Sequence, residues 1–596
     1  MILQALVDYY ELLAAAGEIS RPGYGMANVS YALNLSPQGV LIGVMPLRYE
    51  EERGKKKVEV ARSMTVPKQV KRAVNVAANF LCDNSGYVLG IDNKGKPDRT
   101  KQCFEAFVAL HHAVLDGVDS VAAQAVLSFL DAWQPERATE CPPVAEALDQ
   151  LTAGLNIVFH IAGVGFAHED PAVCRAWEDR RAQGTDAPVR QCLITGRPAP
   201  VARLHPSIRG VKGGQSMGTS IVSFNAPAFE SYGYDGMQGM NAPVGEYAAF
   251  AYSTALNHLL AKPDYKQSYG DTTVVYWAKS VQPIYQQLLA YTLNPQPAPS
   301  DDDAQSSGDA AADSAAEGLL AAVFKRLVEG RPVGELEGAL DMDTRFYILG
   351  LAPNAARLSV RFFLQDSFGN IIEHVTRHYR DLAIEHAPND YEYLPLWKLM
   401  EETVSPMSRD KASSPLLSGA VLRAIFSGQA YPEALFTAVL LRIRAERAIS
   451  RGKAAIIKAY LLRAAKDDYK EELTVGLSEE SSSKPYVLGR LFAVLEKAQQ
   501  DANPGINATI KDRYFNSACA TPVLVFPTLL KLSNAHITKA TYGYVSERKI
   551  RDLMDRLEMD GDPYPDRLTL KEQGVFILGY YHQLKANYTK AVKEEN

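Results

Sequence analysis

The stretch RFYILGLAPNAARLSVRFFLQ, residues 345–365, decides the predicted fold class. Its apolar and β-branched runs flank Pro353 and Asn354, which predicts two strands around a turn at those two residues. A helix is predicted directly afterwards, from Gly369 to Ile384. Two strands followed by a helix indicate a structure that mixes α and β elements.

The residues before this stretch also mix strand and helix patterns. Short strands are predicted in NVSYALNLSPQGVLIGVMPL (residues 28–47) and SIVSFN (residues 220–225). Helices are predicted in QCFEAFVALHHAVL (residues 102–115) and GEYAAFAYSTALNHLLA (residues 245–261). The opening MILQALVDYYELLAAAGEIS predicts an amphipathic helix, and neither a signal peptide nor a membrane span.

Helical periodicity dominates from about residue 388 onward, and predicts a helical bundle over residues 388–596. A segment rich in Asp, Ala, Ser and Pro, residues 295–318, predicts a solvated linker or insertion. The predicted fold class is therefore α+β, a mixed α/β N-terminal body followed by a C-terminal helical bundle. Residues 1–294 are expected to sense nucleic acid, and residues 319–387 to complete the body.

Composition is ordinary for a soluble globular protein of several domains. The chain has 596 residues, 47% of them hydrophobic, and a formal net charge of −6. A mildly acidic chain with basic islands is typical of one subunit of an assembly. The six cysteines have no CxxC spacing, which indicates free thiols in a reducing cytoplasm.

The strongest binding signal is a stretch without acidic residues, from Ala187 to Phe229. Its glycines bring backbone N–H groups close to a ligand, and its cations and amides suit a phosphate backbone or a base edge. The alternative is a long surface loop that merely lacks acids. The candidate nucleic-acid-binding residues here are Arg203, Arg209, Lys212, Gly213, Gly214, Gln215, Ser216 and Asn225.

Two further islands extend the predicted path for nucleic acid. The first, Arg48 to Arg72, carries nine Lys and Arg against four Glu and leads into a polar cluster with candidates Asn79, Asp83 and Asn84. Turn and capping chemistry is the alternative for that cluster. The second, Arg423 to Lys470, carries ten Lys and Arg against four acids.

The candidates in the second island are Arg442, Arg444, Arg447 and Arg451, expected around one helix. Arg442 and Arg444 would lie roughly 200° apart on it, so one of the two is expected to face a neighbouring helix or subunit.

No enzyme motif stands out. The chain lacks GxxxxGK[ST] and HExxH, and neither a cofactor nor a metal is expected. His374 and His378 have the i, i+4 spacing of zinc ligands, with Glu373 and His386 nearby. A packed or solvated helix face is the alternative. His111 and His112 are expected to pack or cap.

Four phrases together resemble a known family, the large subunit of the type I-C (Csd-type) CRISPR Cascade interference complex. They are ILQALVDYYELLAAAGEI, NFLCDNSGYVLG, CLITGRPAPVARLHPSIRGVKGGQSMGTSIVSFNAPAFESYG and YILGLAPNAARLSVRFF. The resemblance runs from the first residues to the C-terminal helices.

The resemblance implies a cytoplasmic, non-catalytic subunit of an RNA-guided ribonucleoprotein in antiviral defence. Such a subunit senses the protospacer-adjacent motif in target double-stranded DNA, helps to open the duplex, and recruits a helicase-nuclease. Its implied partners are crRNA, the handle-binding crRNA-processing subunit and the backbone subunits. The C-terminal helices correspond to the small subunit, which can also be made from an internal start; Met400 and Met407 are the only methionines between Met342 and Met554. The alternative function is a metal-dependent nucleic-acid-processing enzyme.

Overall fold

The computed structural model groups the chain into two compact units. The first contains residues 3–206 and 223–255, and the second contains residues 207–222 and 256–596. The residues described are 2–53, 56–70, 76–93, 95–183, 187–231, 233–234, 236–295, 318, 320–331, 340–387, 390–409, 413–464, 468–558 and 562–594.

A seven-stranded sheet organises the first unit. Its main order is β3-β4-β1-β6-β5, with β2 paired to β1 and β7 paired to β6. Only the β1–β6 pair is parallel among the pairs described. The strands are β1 (Tyr24–Leu35), β2 (Leu41–Pro46), β3 (Arg48–Arg53), β4 (Lys56–Pro67), β5 (Cys82–Asn84), β6 (Asn156–Ile161) and β7 (Gly165–Phe166).

Helices cover this sheet, and a short hairpin follows it. The hairpin pairs β8 (Val189–Gln191) with β9 (Pro198–Pro200). The first core includes Leu33, Phe107, Phe129 and Phe159, so the sheet and its helices share one apolar interior. The helices are Ile2–Ala15, Ser85–Val88, Pro97–Leu115, Val121–Ala132, Pro142–Glu146, Leu148–Leu151, Pro171–Gln183 and Glu246–Ala261, the last of which runs on into the second unit.

The second unit is built on a four-stranded antiparallel sheet in the order β10-β11-β12-β13. The strands are β10 (Lys266–Tyr269), β11 (Thr272–Ala278), β12 (Arg345–Asn354) and β13 (Arg357–Ser367). The strand pair predicted in residues 345–365 is therefore present. So is the helix that was predicted after it, as Phe368–Leu382.

The predicted position of the turn was wrong by two residues. Asn354 still pairs with Arg357, and the turn is made by Ala355 and Ala356, with Ala355 at φ +53°. Pro353 is tolerated inside the strand because β11 pairs with β12 only as far as Leu351. The missing N–H of the proline thus leaves no bond to β11 unmade.

The strand predicted in residues 220–225 was also wrong. Only Ser220 pairs there, in an isolated parallel bridge with Arg357, and the chain bends directly afterwards at Ile221 and Val222. A single bridge does not extend into a ladder of hydrogen bonds, so the β-branched residues that follow it do not form a strand. The strands predicted in residues 28–47, in contrast, are β1 and β2.

The C-terminal part of the chain is helical, as predicted. Its core joins Ile348 and Phe368 to Leu440, Phe492 and Phe576, so the small sheet and these helices share one interior. The helices of the second unit that follow its first two strands include Ile284–Leu293, Phe368–Leu382, Leu396–Glu401, Pro415–Ser427, Glu433–Glu446, Arg451–Ala464, Lys484–Ala502, Ile510–Ala520, Pro522–Lys539, Gly543–Glu558 and Leu570–Glu594.

The fold class is α+β, as predicted. Residues 345–382 cluster with the C-terminal helices. The expected boundaries between functional domains stay predictions, and residues 296–317 of the expected linker lie outside the described residues. Among the helices described, none combines the length and the apolar character that a membrane crossing needs.

Candidate nucleic-acid interface

Residues 208–219 form a closed loop in the second unit, and we call them the glycine loop. Ile208 and Thr219 join its two ends through reciprocal backbone hydrogen bonds of 2.7 and 2.8 Å. Ser220 then pairs with Arg357 at the start of β13. A loop of this length whose ends meet is a compact surface structure of the kind that often carries function.

Side chains from the body fix the path of the glycine loop. Asn257 accepts a hydrogen bond from the Arg209 N–H (2.8 Å) and donates one to the Ser207 carbonyl oxygen (3.0 Å). The Lys212 N–H donates to Thr273 Oγ1 (3.0 Å). Because Asn257 lies on a helix and Thr273 on β11, the loop is anchored to regular structure at both contacts.

Glycine is favoured at three positions of this loop, of which Gly210 has φ +85° and a Cβ there would lie 3.1 Å from the Leu260 carbonyl oxygen. Gly218 has φ +98°, and a Cβ there would lie 2.6 Å from Ser207 Cβ. Gly213 has φ +76°, and a Cβ there would lie 3.3 Å from Pro353 Cγ. All three conformations are unfavourable for residues with a side chain, so these glycines determine the shape of the loop.

The tip of the glycine loop presents polar groups to solvent. Lys212, Gln215 and Ser216 are exposed, as is 72% of Met217, while Val211 is buried beneath them. The loop thus offers a cation, an amide and a hydroxyl on an anchored backbone. Amide and hydroxyl groups can pair with base edges, and an ammonium group can contact phosphate.

The structure brings together six of the eight candidates from the acid-free stretch. Arg209, Lys212, Gly213, Gly214, Gln215 and Ser216 all belong to the glycine loop in the second unit. Arg203 and Asn225 belong to the first unit, where both are exposed. The stretch therefore does not form one continuous surface loop.

The predicted polar cluster at residues 79–84 is part of the first unit's interior. Asn79 and Asp83 are buried. Asn79 Oδ1 accepts a hydrogen bond from the Val70 N–H (2.8 Å), and the Asn79 N–H donates to Asp83 Oδ2 (2.9 Å). These contacts favour the alternative of local turn chemistry for both residues.

Asn84 and His111 complete this turn. Asn84 Oδ1 accepts from the Gly86 N–H (3.1 Å), which caps the short helix that follows. His111 Nε2 accepts from the N–H of Leu81, a residue held at φ +56° (3.0 Å). Burial lowers the pKa of His111 to about 4, consistent with a packed, neutral imidazole.

The four arginines of the helical end do not share one helix, so that part of the prediction was wrong. The helix ends at Glu446 because Arg447 adopts a left-handed conformation (φ +54°) and its N–H caps the Ile443 carbonyl (2.7 Å). Arg451 begins the next helix, and its guanidinium donates to the backbone carbonyls of two residues, Tyr391 and Glu392.

The other two arginines also have partners. Arg442 Nε donates to Glu446 (2.7 Å), and the exposed Arg444 donates to Gln573 on another helix (2.6 Å). Arg444 thus faces a neighbouring helix, as expected for one of this pair. Arg447 is exposed, and among the described residues its guanidinium has no salt bridge or hydrogen bond. It is the best placed of the four to meet a phosphate.

The histidines considered as zinc ligands make structural contacts. His374 Nδ1 donates to the Phe426 carbonyl oxygen (2.8 Å), and His378 Nδ1 lies 2.6 Å from the Tyr431 hydroxyl. Burial lowers the pKa of His378 to about 3. Glu373 pairs with Arg380. No group of three or more His, Cys, Asp or Glu residues in the described part of the chain is arranged to hold a metal ion.

A second candidate surface is a cleft of about 840 Å³ in the first unit, which we call the arginine cleft. It gathers Arg203 with cations from distant segments, Arg21, Lys68 and Arg181. Sequence reasoning missed Arg21 and Arg181 because neither lies in a basic island. A local signal is the turn at Gly23, two residues after Arg21.

An anchored, cationic glycine loop on an α+β body suits a protein that contacts nucleic acid. Comparison with family models places the chain among CRISPR-associated proteins: residues 6–588 match the model described as CRISPR-associated protein (Cas_Csd1). The chain belongs to the Cas_Csd1 family, which confirms the resemblance to a Csd1-type Cas large subunit. None of the curated proteins gives a significant match to the chain.

Proposed function

We propose that the chain is the non-catalytic large subunit of a type I-C RNA-guided surveillance complex. In this role it senses the protospacer-adjacent motif in duplex DNA, helps to open the duplex, and recruits the helicase-nuclease. Sequence specificity is delegated to pairing between guide RNA and the target strand. The protein itself then reads only a short motif and the sugar-phosphate backbone.

The glycine loop is the observation that carries this proposal. Gln215 and Ser216 stand exposed on a backbone anchored to Asn257 and Thr273, so their position is fixed before DNA arrives. A fixed amide can discriminate donor and acceptor patterns in a groove. Lys212 on the same tip supplies a phosphate contact that sets the register of the loop on the duplex.

The test replaces Gln215 by alanine in the assembled complex. Because the amide pairs with a base edge, binding to duplex DNA that carries the motif weakens by roughly 1–3 kcal/mol. Binding to duplex DNA without the motif changes little. Gln282→Ala is the matched control, since Gln282 is an exposed glutamine on another loop of the second unit.

Two results would count against motif sensing by this loop. Equal losses on both DNAs would show that Gln215 does not read sequence. A loss with Gln282→Ala as large as that with Gln215→Ala would show that the effect is not specific to the glycine loop. Electrophoretic mobility shifts at fixed salt measure both, because phosphate contacts make affinity depend on salt.

The non-catalytic part of the proposal has its own test. The purified chain, incubated with Mg²⁺, Mn²⁺ or Zn²⁺, leaves labelled DNA and RNA intact. Cleavage that disappears in His374→Ala or His378→Ala would instead establish the metal-dependent enzyme. Two observations support the first outcome: His378 is buried, and no third His, Cys, Asp or Glu among the described residues joins this pair in an arrangement that could hold a metal ion.

A further inference from the structure

The arginine cleft carries an excess of positive charge. Its lining includes Arg21, Lys68, Arg181 and Arg203, whereas the acids that line it are Glu178 and Glu246. All four cations are exposed, and in the described residues none of them has a carboxylate within salt-bridge distance. Cations gathered in a concave site without partners attract an anion.

A turn at Gly23 places two of these cations, Arg21 and Arg181, side by side. Gly23 has φ +89°, and a Cβ there would lie 1.9 Å from Arg181 Nη1, so the guanidinium packs directly against the glycine. The Gly23 carbonyl accepts from the Lys68 N–H (2.8 Å) and from Trp177 Nε1 (3.3 Å). Arg181 is therefore placed beside the turn that begins with Arg21.

The same cleft contains two aromatic side chains, Tyr247 and Phe250. Tyr10 supports both from beneath in edge-to-face contacts, with ring centroids 6.1 and 5.7 Å away. The Lys68 ammonium lies 6.0 Å from the centre of the Phe250 ring. Tyr247 keeps 42% of its surface exposed, so its ring is supported on one side and open to a ligand on the other.

We propose that the arginine cleft holds one unstacked nucleotide of a single-stranded nucleic acid. Its base stacks on Tyr247, and the adjoining phosphates contact Arg21, Arg181 and Arg203. An aromatic platform beside arginines is the combination that proteins use for single strands. A cleft of about 840 Å³ has the volume of a small-ligand site, which suits one nucleotide rather than a duplex.

The two acids of the cleft agree with this assignment. A carboxylate accepts hydrogen bonds from the exocyclic amino group of a base, so Glu178 and Glu246 can contact a base edge while the arginines contact phosphate. The inference rests on the proposed role of the chain in binding nucleic acid. It concerns a strand that is already unpaired, and not the duplex motif.

The experiment uses the full chain and fluorescein-labelled single-stranded DNA and RNA of about 12 nucleotides, a length within the range of single-strand sites. Fluorescence anisotropy measures affinity over a series of salt concentrations. Tyr247→Ala weakens binding roughly 5- to 150-fold because stacking is lost, while Tyr247→Phe, which keeps the ring, binds normally. Arg181→Gln and Arg203→Gln each reduce the slope of log K against log salt by roughly 0.7.

Arg175→Gln is the matched control, because Arg175 is exposed on the helix Pro171–Gln183 that carries Arg181 but does not line the cleft. It leaves affinity and salt slope unchanged. Arg203 is exposed, so Arg203→Gln tests the proposal even if Tyr247→Ala fails to fold. Tighter binding of DNA than of RNA would identify a DNA strand as the source of the nucleotide, and the reverse would identify RNA.

Several results would overturn the proposal. The chain could fail to bind either strand, or Arg181→Gln and Arg203→Gln could behave like Arg175→Gln. If those variants bind strands normally but no longer assemble with the other subunits, the cleft is a protein contact. The Gln215→Ala test on duplex DNA is independent, so loss of motif sensing and loss of strand binding are told apart.

Discussion

Replacing Gly218 by alanine tests whether one glycine determines the shape of the glycine loop. An alanine Cβ would stand 2.6 Å from Ser207 Cβ and 3.1 Å from the Ile208 carbonyl oxygen, at φ +98°. Neither neighbouring atom can rotate away, because one is the first atom of its side chain and the other is backbone. The substitution therefore has to move the chain itself.

The magnitude follows from three terms. Placing a Cβ at positive φ costs roughly 1–2 kcal/mol. Overpacking against fixed neighbours costs roughly 1–3 kcal/mol. Restricting the unfolded chain offsets roughly 0.4–1 kcal/mol of this. Taken at the middle of each range, the net destabilisation is about 2–3 kcal/mol. It acts first on the adjacent bridge between Ile208 and Thr219, which closes the loop.

Hydrogen exchange of the Ile208 and Thr219 amides measures this bridge directly, because each donates to the carbonyl oxygen of the other. A loss of 2–3 kcal/mol in local opening free energy corresponds to exchange roughly 30- to 150-fold faster. Gly505→Ala is the control. Gly505 is also at positive φ (+79°) in the second unit, but a Cβ there would meet nothing within 4 Å.

Unchanged exchange at Ile208 and Thr219 in Gly218→Ala would refute the argument that contact with Ser207 shapes the loop. Equal acceleration of these two amides in Gly505→Ala would refute it as well, because that glycine lies outside the loop. If the proposed function holds, Gly218→Ala also reduces motif-dependent DNA binding, since Gln215 and Ser216 lose their fixed positions.

Three further predictions concern other candidate residues. Asn79→Ala lowers the free energy of unfolding by about 0.5–1.5 kcal/mol, because the part-buried hydrogen bond from the Val70 N–H to Asn79 Oδ1 is lost, and leaves target binding by the assembled complex unchanged; weaker binding without lower stability would contradict this. Arg447→Ala reduces the salt slope of target binding by roughly 0.7–0.9, whereas Arg442→Ala, whose guanidinium pairs with a carboxylate, does not; equal slopes in both variants would eliminate the phosphate contact. His378 has a pKa lowered to about 3, so below pH 6.5 the unfolded chain binds a proton that the folded chain refuses, and stability present above pH 6.5 is lost as the pH falls towards 3. In urea unfolding, the loss of stability between pH 8 and pH 5 should be about 2 kcal/mol larger in the wild type than in His378→Gln; identical pH dependence of the two proteins would contradict the assignment.

The sequence alone predicted the fold class, most of the elements and the family. Strand alternation in residues 345–365 and helical periodicity beyond residue 388 are local signals, because neighbouring side chains along the chain decide which face of an element is apolar. The same local character explains the two wrong predictions about strands and turns. The exact position of the turn between Pro353 and Arg357 depends on how far the neighbouring strand β11 extends. In residues 220–225, only Ser220 pairs with another strand, in a single bridge.

The candidate site was predicted only in part. The glycine loop was found because its glycines, cations and lack of acids lie in one continuous stretch. The sequence does not show which polar side chains are buried. Asn79 and Asp83 were therefore predicted to bind nucleic acid, although both are buried inside the first unit. Nor could it separate Arg447, which is exposed, from Arg451, which binds backbone carbonyls.

Tertiary structure alone decided the arginine cleft and the anchoring of the glycine loop. Arg21, Arg181 and Arg203 belong to three separate segments, and they share a cleft because the turn at Gly23 packs against a helix more distant in the chain. Asn257 also contacts the glycine loop from a helix that lies further along the chain, where it accepts a hydrogen bond from the Arg209 N–H. Local sequence patterns reflect the periodicity of single elements, whereas hydrogen-bond partners and burial depend on the packing of elements far apart in the chain.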